Sequence, residues 1–338
     1  MSNILTPLYS RNQKRIKGRL VIFSGLMLRV MVVFHCSQKE ERTAITRAER
    51  TADTSAAPEK KTLVRELASD PQNLNPVLLN DYTSYQVLRN IFDPLLDIDG
   101  SKDSNLVGRL AQRWDISVDR LSITFFLRPG ITWHDGRPFT AEDVEFTFNM
   151  AQRADIPALL LKSTVEPLED VEILDSHTIK FCFRYPFSPG LSQIGRVFII
   201  PKHRLDINGL ALENTTRGLS KPVTILNTAF NRNPLGTGPY VFEEWKTGQH
   251  IKLSMNQDYW DKAHVAKVPE VIFKIIPNRI VAFNMLQKED LDVLRAETIH
   301  YLRFQRMGTM GQKYVATKFL QPYIFTSAGT CVPSGNFS

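Results

Sequence analysis

The sequence predicts an α/β fold. Segments in which apolar residues alternate, as in half-buried strands, are interspersed with segments in which they recur every three or four positions, as in amphipathic helices. Within residues 121–151, a strand pattern, a Pro-Gly turn and a helix pattern follow one another. The 338 residues are 43% apolar, which is enough to fill the cores of two domains.

Four strands are predicted from alternation. Residues 121–128 place Ile123, Phe125 and Leu127 on one side, and the Pro-Gly turn ends the strand. Residues 178–185 show the same pattern and are followed by a proline. The two remaining strands are indicated by apolar residues at alternate positions, namely Ile251, Leu253, Met255, Val271, Phe273 and Ile275.

Two helices are predicted with enough detail to test. Thr140 is a candidate N-cap with Asp143 at the third helical position, and Val144, Phe148 and Ala151 then share one face. The second helix is predicted from three apolar residues, Ile280, Phe283 and Leu286.

The positive charge is concentrated at the amino terminus. The net charge is +7, but the first 36 residues hold six basic and no acidic residues, so the remainder is almost neutral. We therefore predict no nucleic-acid-binding surface.

The same segment predicts export. Residues 20–34 form a short apolar core that follows a cationic stretch and precedes a polar tether at 37–61. We read residues 1–36 as a signal peptide or lipoprotein leader. Cys36 directly follows the apolar core, where a lipid could be attached; the alternative is an ordinary thiol in a removed leader.

No pattern favours an enzyme, a cofactor or a metal site. The seven histidines lack the i, i+4 spacing of a helical zinc site, and the three cysteines have no metal or redox spacing. The Gly236-Thr-Gly238 segment lacks the remaining glycine of a dinucleotide fingerprint, and no Gly-x-Ser-x-Gly elbow is present. Glu243 and Glu244 are adjacent and so point in different directions on a strand.

Four ordered stretches carry a family resemblance, at residues 70–76, 91–144, 236–260 and 276–292. The second and third stretches are highly specific because they are long ordered strings; they contain Trp133-His-Asp-Gly136 and Gly236-Thr-Gly238 followed by Pro239, respectively. Together these stretches resemble the extracellular solute-binding proteins, family 5, of ABC importers for peptides, dipeptides and nickel. Taken as local chemistry, the motifs predict scaffold: glycines permit turns and close backbone approach, and the aromatic residues pack a helix.

The resemblance implies a type II periplasmic-binding-protein-like fold, with two lobes that close on a ligand and an inserted subdomain. It assigns residues 62–92 and 188–276 to a first lobe and residues 93–187 to an inserted subdomain. Residues 277–328 would be the start of an incomplete second lobe, and residues 329–338 an unrelated tail. A C-terminally truncated copy of such a protein is therefore expected.

The resemblance also implies a function. The chain would bind peptides as a monomer and deliver them to an ABC permease, in the periplasm or at the cell surface. The implied ligand contacts are Leu67, Ala68, Ser69, Asp70 and Tyr323. The alternative for the first four is a capped surface turn. The alternatives for the whole chain are a nonfunctional remnant, an unrecognised hydrolase and a structural lipoprotein. In the family, glycine ends a helix where Glu289 stands, at a cost on the order of 1 kcal/mol if φ is positive.

Overall fold

The computed structural model describes residues 62–98 and 105–295, together with the backbone of two strands at 314–318 and 329–333. Cys36 and Tyr323 lie outside the described residues. The strands are β1 Thr62–Leu67, β2 Leu96–Ile98, β3 Leu106–Gly108, β4 Ala111–Ile116, β5 Ser122–Leu127, β6 Leu168–Asp175, β7 Thr178–Phe183, β8 Tyr240–Lys246, β9 His250–Met255, β10 Glu270–Ile275, β11 Leu294–Arg295, β12 Tyr314–Lys318 and β13 Gly329–Pro333. The helices are α1 Tyr82–Ile91, α2 Ala141–Gln152, α3 Lys162–Val165, α4 Gly190–Gly195, α5 Lys202–Leu205, α6 Ile207–Thr216 and α7 Arg279–Gln287.

The first four-stranded sheet has the order β1-β10-β9-β8. β1 runs parallel to β10, whereas the other two pairs are antiparallel. Ile251, Leu253 and Phe273 are fully buried, so the alternation that predicted β9 and β10 marks their core-facing side. β1 and β10 pair directly although most of the described chain lies between them in sequence.

The second four-stranded sheet is antiparallel with the order β4-β5-β7-β6. The predicted strands at 121–128 and 178–185 are confirmed as β5 and β7. Helix α2 packs on the inner face, where Phe148 and Phe125 both meet the Phe181 ring edge-on, at centroid distances of 4.7 and 5.6 Å. A continuous apolar core joins this sheet to the first one.

Helix α2 begins as predicted. The backbone of Thr140 donates to the Asp143 carboxylate at 3.0 Å, completing the capping box. Trp133 Nε1 and the Lys202 amide donate to the same carboxylate at 3.2 and 2.9 Å. Burial raises the pKa of Asp143, and the three donors act against that shift by stabilising its charged form.

Helix α7 is confirmed, but one predicted core residue is not. Phe283 and Leu286 are buried, whereas Ile280 is 65% exposed. Each residue advances about 100° around a helix, so two three-residue steps place Ile280 about 120° from Leu286. The core covers the side of Leu286, and Ile280 therefore points to solvent. Beyond α7, Val293 forms a parallel bridge with Arg65 of β1.

A buried polar cluster connects three segments, namely the residues after α1, the residues between β3 and β4, and the residues after β9. Asp93 accepts hydrogen bonds from Arg109 Nη2 at 3.1 Å, Trp260 Nε1 at 2.8 Å and the Tyr259 hydroxyl at 3.2 Å. Arg109 Nη1 also donates to Asp261 at 3.0 Å. Burial raises the pKa of Asp93 although all three donors favour its charged form.

The remaining strands form two smaller sheets, an antiparallel pair of β2 with β3 and a three-stranded sheet with the order β11-β13-β12, in which both pairs are antiparallel. Strand β13 lies in the segment for which an unrelated tail is expected. No helix within the described residues is long and apolar enough to cross a membrane.

Candidate functional site

The predicted ligand segment, Leu67 to Asp70, lies at the carboxyl end of β1. Leu67 is fully buried in the core, and its carbonyl accepts a hydrogen bond from the Ile276 amide at 2.8 Å. The side chain of Leu67 is therefore part of the scaffold. The chain leaves the sheet at the next residue.

Asp70 fixes the other end of this segment. One carboxylate oxygen accepts from Trp245 Nε1 at 2.8 Å, and the second accepts from the Gly248 amide, also at 2.8 Å. Both donors belong to the β8–β9 hairpin. The Arg232 guanidinium covers the Trp245 ring at 3.7 Å from its centre. The carboxylate of Asp70 is thus committed to the protein's own structure, as the alternative of a capped turn predicts.

Ala68 and Ser69 remain between these two fixed points. Ser69 is exposed, and its hydroxyl lies 3.4 Å from that of Thr83 in the first turn of α1. The backbone groups of Ala68 and Ser69 form no hydrogen bond with any other residue in the described part of the chain. Two residues of backbone without hydrogen-bond partners in the described residues therefore lie between two fixed points.

Helix α1 is positioned at both ends. Its N-cap, Asp81, accepts from the Ser84 amide at 2.8 Å. At the other end, the Ile91 carbonyl accepts from the Gly238 amide at 2.8 Å. A Cβ atom on Gly236 would lie 1.9 Å from the Ile91 oxygen, so glycine is required for this approach.

His134 completes this contact. Its Nε2 lies 3.0 Å from the Gly238 carbonyl, and its Nδ1 accepts from the Gly236 amide at 3.3 Å. This pattern assigns the neutral tautomer with hydrogen on Nε2. Burial lowers the pKa of His134, which also favours the neutral ring. Motifs from the two highly specific stretches therefore contact each other as part of the scaffold, as predicted.

Sequence reasoning missed Thr83 as a neighbour of Ser69. The Asp81-x-x-Ser84 capping pattern was the available signal, because it places the start of a helix just after the ligand segment. Among residues 62–98 and 105–295, no three His, Cys, Asp or Glu side chains are grouped so that they could hold a metal ion.

Comparison with known proteins identifies the family. Residues 105–325 match the family described as "Bacterial extracellular solute-binding proteins, family 5 Middle". The chain belongs to this family. It is one of solute-binding proteins rather than of enzymes, and its members act outside the cytoplasm, as the description states.

Three relatives illustrate the similarity. The chain is 26% identical over 302 residues to the oligopeptide-binding protein AppA of Bacillus subtilis. This match covers 88% of this chain and 51% of that protein. DppA from Helicobacter pylori, solved in complex with the peptide STSA, matches with a TM-score of 0.64 at 25% identity, over 76% of this chain and 50% of that one. NikZ from Campylobacter jejuni, solved in complex with Ni(L-His), matches with a TM-score of 0.63 at 25% identity, over 77% of this chain and 47% of that one.

These likenesses confirm the predicted fold class, that of the type II periplasmic binding proteins of this family. The matched part spans about half the length of each of the three relatives. The division into lobes and inserted subdomain, and the role of the ligand segment, stay predictions.

Proposed function

We propose that this protein is the solute-binding component of an ABC importer, that it binds peptides as a monomer, and that it delivers them to a membrane permease. The observation that carries the proposal is the pair Ala68 and Ser69, whose backbone groups have no hydrogen-bond partner in the described residues. Peptide main chains are commonly bound through backbone hydrogen bonds at the end or edge of a sheet. Relatives named for oligopeptide binding or solved with a peptide support the same ligand class.

Calorimetric titration with a mixed tetrapeptide library tests the proposal. We expect Ser69→Ala to change affinity little, since only the hydroxyl is lost, whereas Ser69→Pro removes the amide donor and should weaken binding at least about tenfold. Thermal denaturation of both variants checks that the turn still folds. Equal binding by the proline variant would show that this backbone is not used.

A nickel–histidine complex is the alternative ligand to be tested against peptides. NikZ was solved with a nickel–histidine complex, so Ni(II) with L-histidine is titrated beside the peptides. Binding of this complex with no binding of peptides would contradict the peptide assignment. Peptides identified by mass spectrometry in protein purified from its source would support it.

We propose further that the chain is exported and anchored by a lipid on Cys36. The order of cationic segment, short apolar core and polar tether supports this, because signal peptides have these parts in this order. Mass spectrometry of the mature amino terminus tests both steps. An intact Met1 would contradict export, and a free terminus beyond Cys36 would contradict lipidation alone.

A further inference from the structure

Three arginines come from three neighbouring elements, namely Arg65 of β1, Arg89 of α1 and Arg295 of β11. Arg65 is the parallel-bridge partner of Val293, and side chains two positions apart on a strand share a face. Arg65 and Arg295 therefore project from the same face. The Arg295 guanidinium lies 4.4 Å from the centre of the Tyr82 ring.

Helix α1 supplies the other two members of the cluster. Tyr82 and Arg89 are two helical turns apart and so lie on one side of α1. Both act electrostatically on Arg65, Tyr82 favouring its charged form and Arg89 opposing it. Arg89 is exposed, while Tyr82 is half-buried, so the cluster reaches solvent at the helix.

The positive charge of Arg65 is offset only in part: Tyr82 and Glu66 favour its charged form, whereas burial and Arg89 have the larger, opposite effect. Arg65 Nε is shielded from solvent and has no hydrogen-bond partner, and its guanidinium lies 5.5 Å from the centre of the Phe273 ring. Burial, followed by the charge of Arg89, lowers the pKa of Arg65 to about 10. In the ranges that the structure describes, none of the three guanidinium groups forms an ion pair with a carboxylate.

The neighbouring acid does not fill this role. Glu66 accepts from Arg279 Nη1 at 3.2 Å and from the backbone amide of Arg295 at 3.3 Å. As the residue after Arg65 on the same strand, it points to the opposite face of the sheet. A guanidinium nitrogen that is shielded from solvent without an acceptor is costly, because its lost hydration is not replaced.

We propose that Arg65, Arg89 and Arg295 form a binding site for a carboxylate of the ligand, so that the protein prefers anionic peptides. This inference rests on the proposed peptide-binding function. A planar guanidinium donates two parallel hydrogen bonds to a carboxylate, and several together select for negative charge. Arg65 lies on β1, the strand that leads directly into Ala68 and Ser69.

A free dicarboxylate tests the site without requiring a peptide. Glutarate, compared with chloride at equal ionic strength, should raise the melting temperature of the wild type. The effect should be lost in Arg65→Met and weakened about tenfold in apparent affinity in Arg295→Gln, since each removes a charge-assisted donor pair. The matched control is Arg137→Gln, an exposed arginine away from the cluster, which should respond like the wild type. An equal glutarate effect in all four proteins, or none in any, would overturn the proposal.

The ligand-free stabilities provide a second readout. Methionine of similar length removes a charged group whose solvent-shielded Nε has no hydrogen-bond partner, so Arg65→Met should melt at a higher temperature than the wild type in the absence of anions. An arginine with a structural role would give the opposite change. A lower melting temperature for Arg65→Met would therefore contradict the proposal.

Amidated peptides link the site to the proposed function. Ala-Glu-Ala-Ala-amide should bind the wild type about tenfold more tightly than Ala-Gln-Ala-Ala-amide, and this ratio should approach one in Arg295→Gln. Equal binding of both peptides by the wild type would overturn the carboxylate site and leave the proposed function standing. If neither peptide binds while glutarate behaves as expected, the peptide function fails and the anion site is supported.

Discussion

Replacing Arg109 by methionine tests whether the buried cluster around Asp93 stabilises the fold. The side chains of Arg109 and Asp93 are only 20% and 5% exposed, so little solvent screens their charges. Without Arg109, the Asp93 carboxylate keeps the donors of Trp260 and Tyr259 but loses its positive charge. Removing one partner of a buried ion pair costs about 3–5 kcal/mol, and we expect the free energy of unfolding to fall by this amount.

Urea denaturation at pH 7 measures this change. Adding Asp93→Asn to Arg109→Met should recover most of the loss, because asparagine is neutral and its oxygen can still accept from Trp260. The matched control is Arg153→Met, whose pair with Asp155 is 54% and 65% exposed and should change stability by less than about 1 kcal/mol. A loss below about 1 kcal/mol for Arg109→Met, or no recovery in the double variant, would refute the reasoning.

The pH dependence of the same variant gives an independent check. Burial raises the pKa of Asp93, and Arg109 opposes this rise, so the pKa should rise further when Arg109 is removed. A carboxyl whose folded pKa exceeds its unfolded value binds its proton more tightly in the folded state. Stability is then present at low pH and is lost as pH increases through the folded pKa. Arg109→Met should therefore lose less stability relative to the wild type at pH 5 than at pH 7.

Three further predictions follow from single residues. Trp133→Ala or Phe148→Ala should lower the free energy of unfolding by about 3–5 kcal/mol without changing ligand preference, because both rings are at most 1% exposed; unchanged denaturation curves would contradict this. Glu289 has a φ of 65°, so Glu289→Gly should stabilise the protein by about 1 kcal/mol in urea denaturation, and a loss would show that its contacts outweigh the backbone strain. Burial lowers the pKa of His134, so the wild type should lose stability as pH falls from 7.5 to 5.5, and His134→Gln should lose less; a slope equal to that of the exposed-site control His264→Gln would contradict the assignment.

Elements whose stability is encoded locally could be predicted from the sequence. Strand β5 followed from alternation alone, because one of its faces is buried and the other is not. Helix α2 followed from Thr140 and Asp143, three positions apart, which satisfy each other's backbone groups. Both signals act over a few residues and leave a direct pattern in the chain.

Features that depend on distant pairing could not be predicted. The parallel pairing of β1 with β10 has no local signature, since any alternating strand could occupy that position. Arg109 and Asp261 are 152 positions apart and meet only because the two sheets share a core. The same holds for Arg65, an arginine in an otherwise ordinary strand pattern whose unpaired nitrogen becomes evident only when α1 and β11 are in place.

The motifs that identified the family act on the candidate site indirectly. Gly236, Gly238 and His134 hold the carboxyl end of α1 through the Ile91 carbonyl, while the amino end of the same helix places Thr83 beside Ser69. A helix transmits position along its length because its backbone hydrogen bonds leave little freedom between its ends. Glycine at the motif positions therefore helps to position α1, which contacts the candidate segment through Thr83 and Ser69. This arrangement explains why the most specific sequence signals are part of the scaffold.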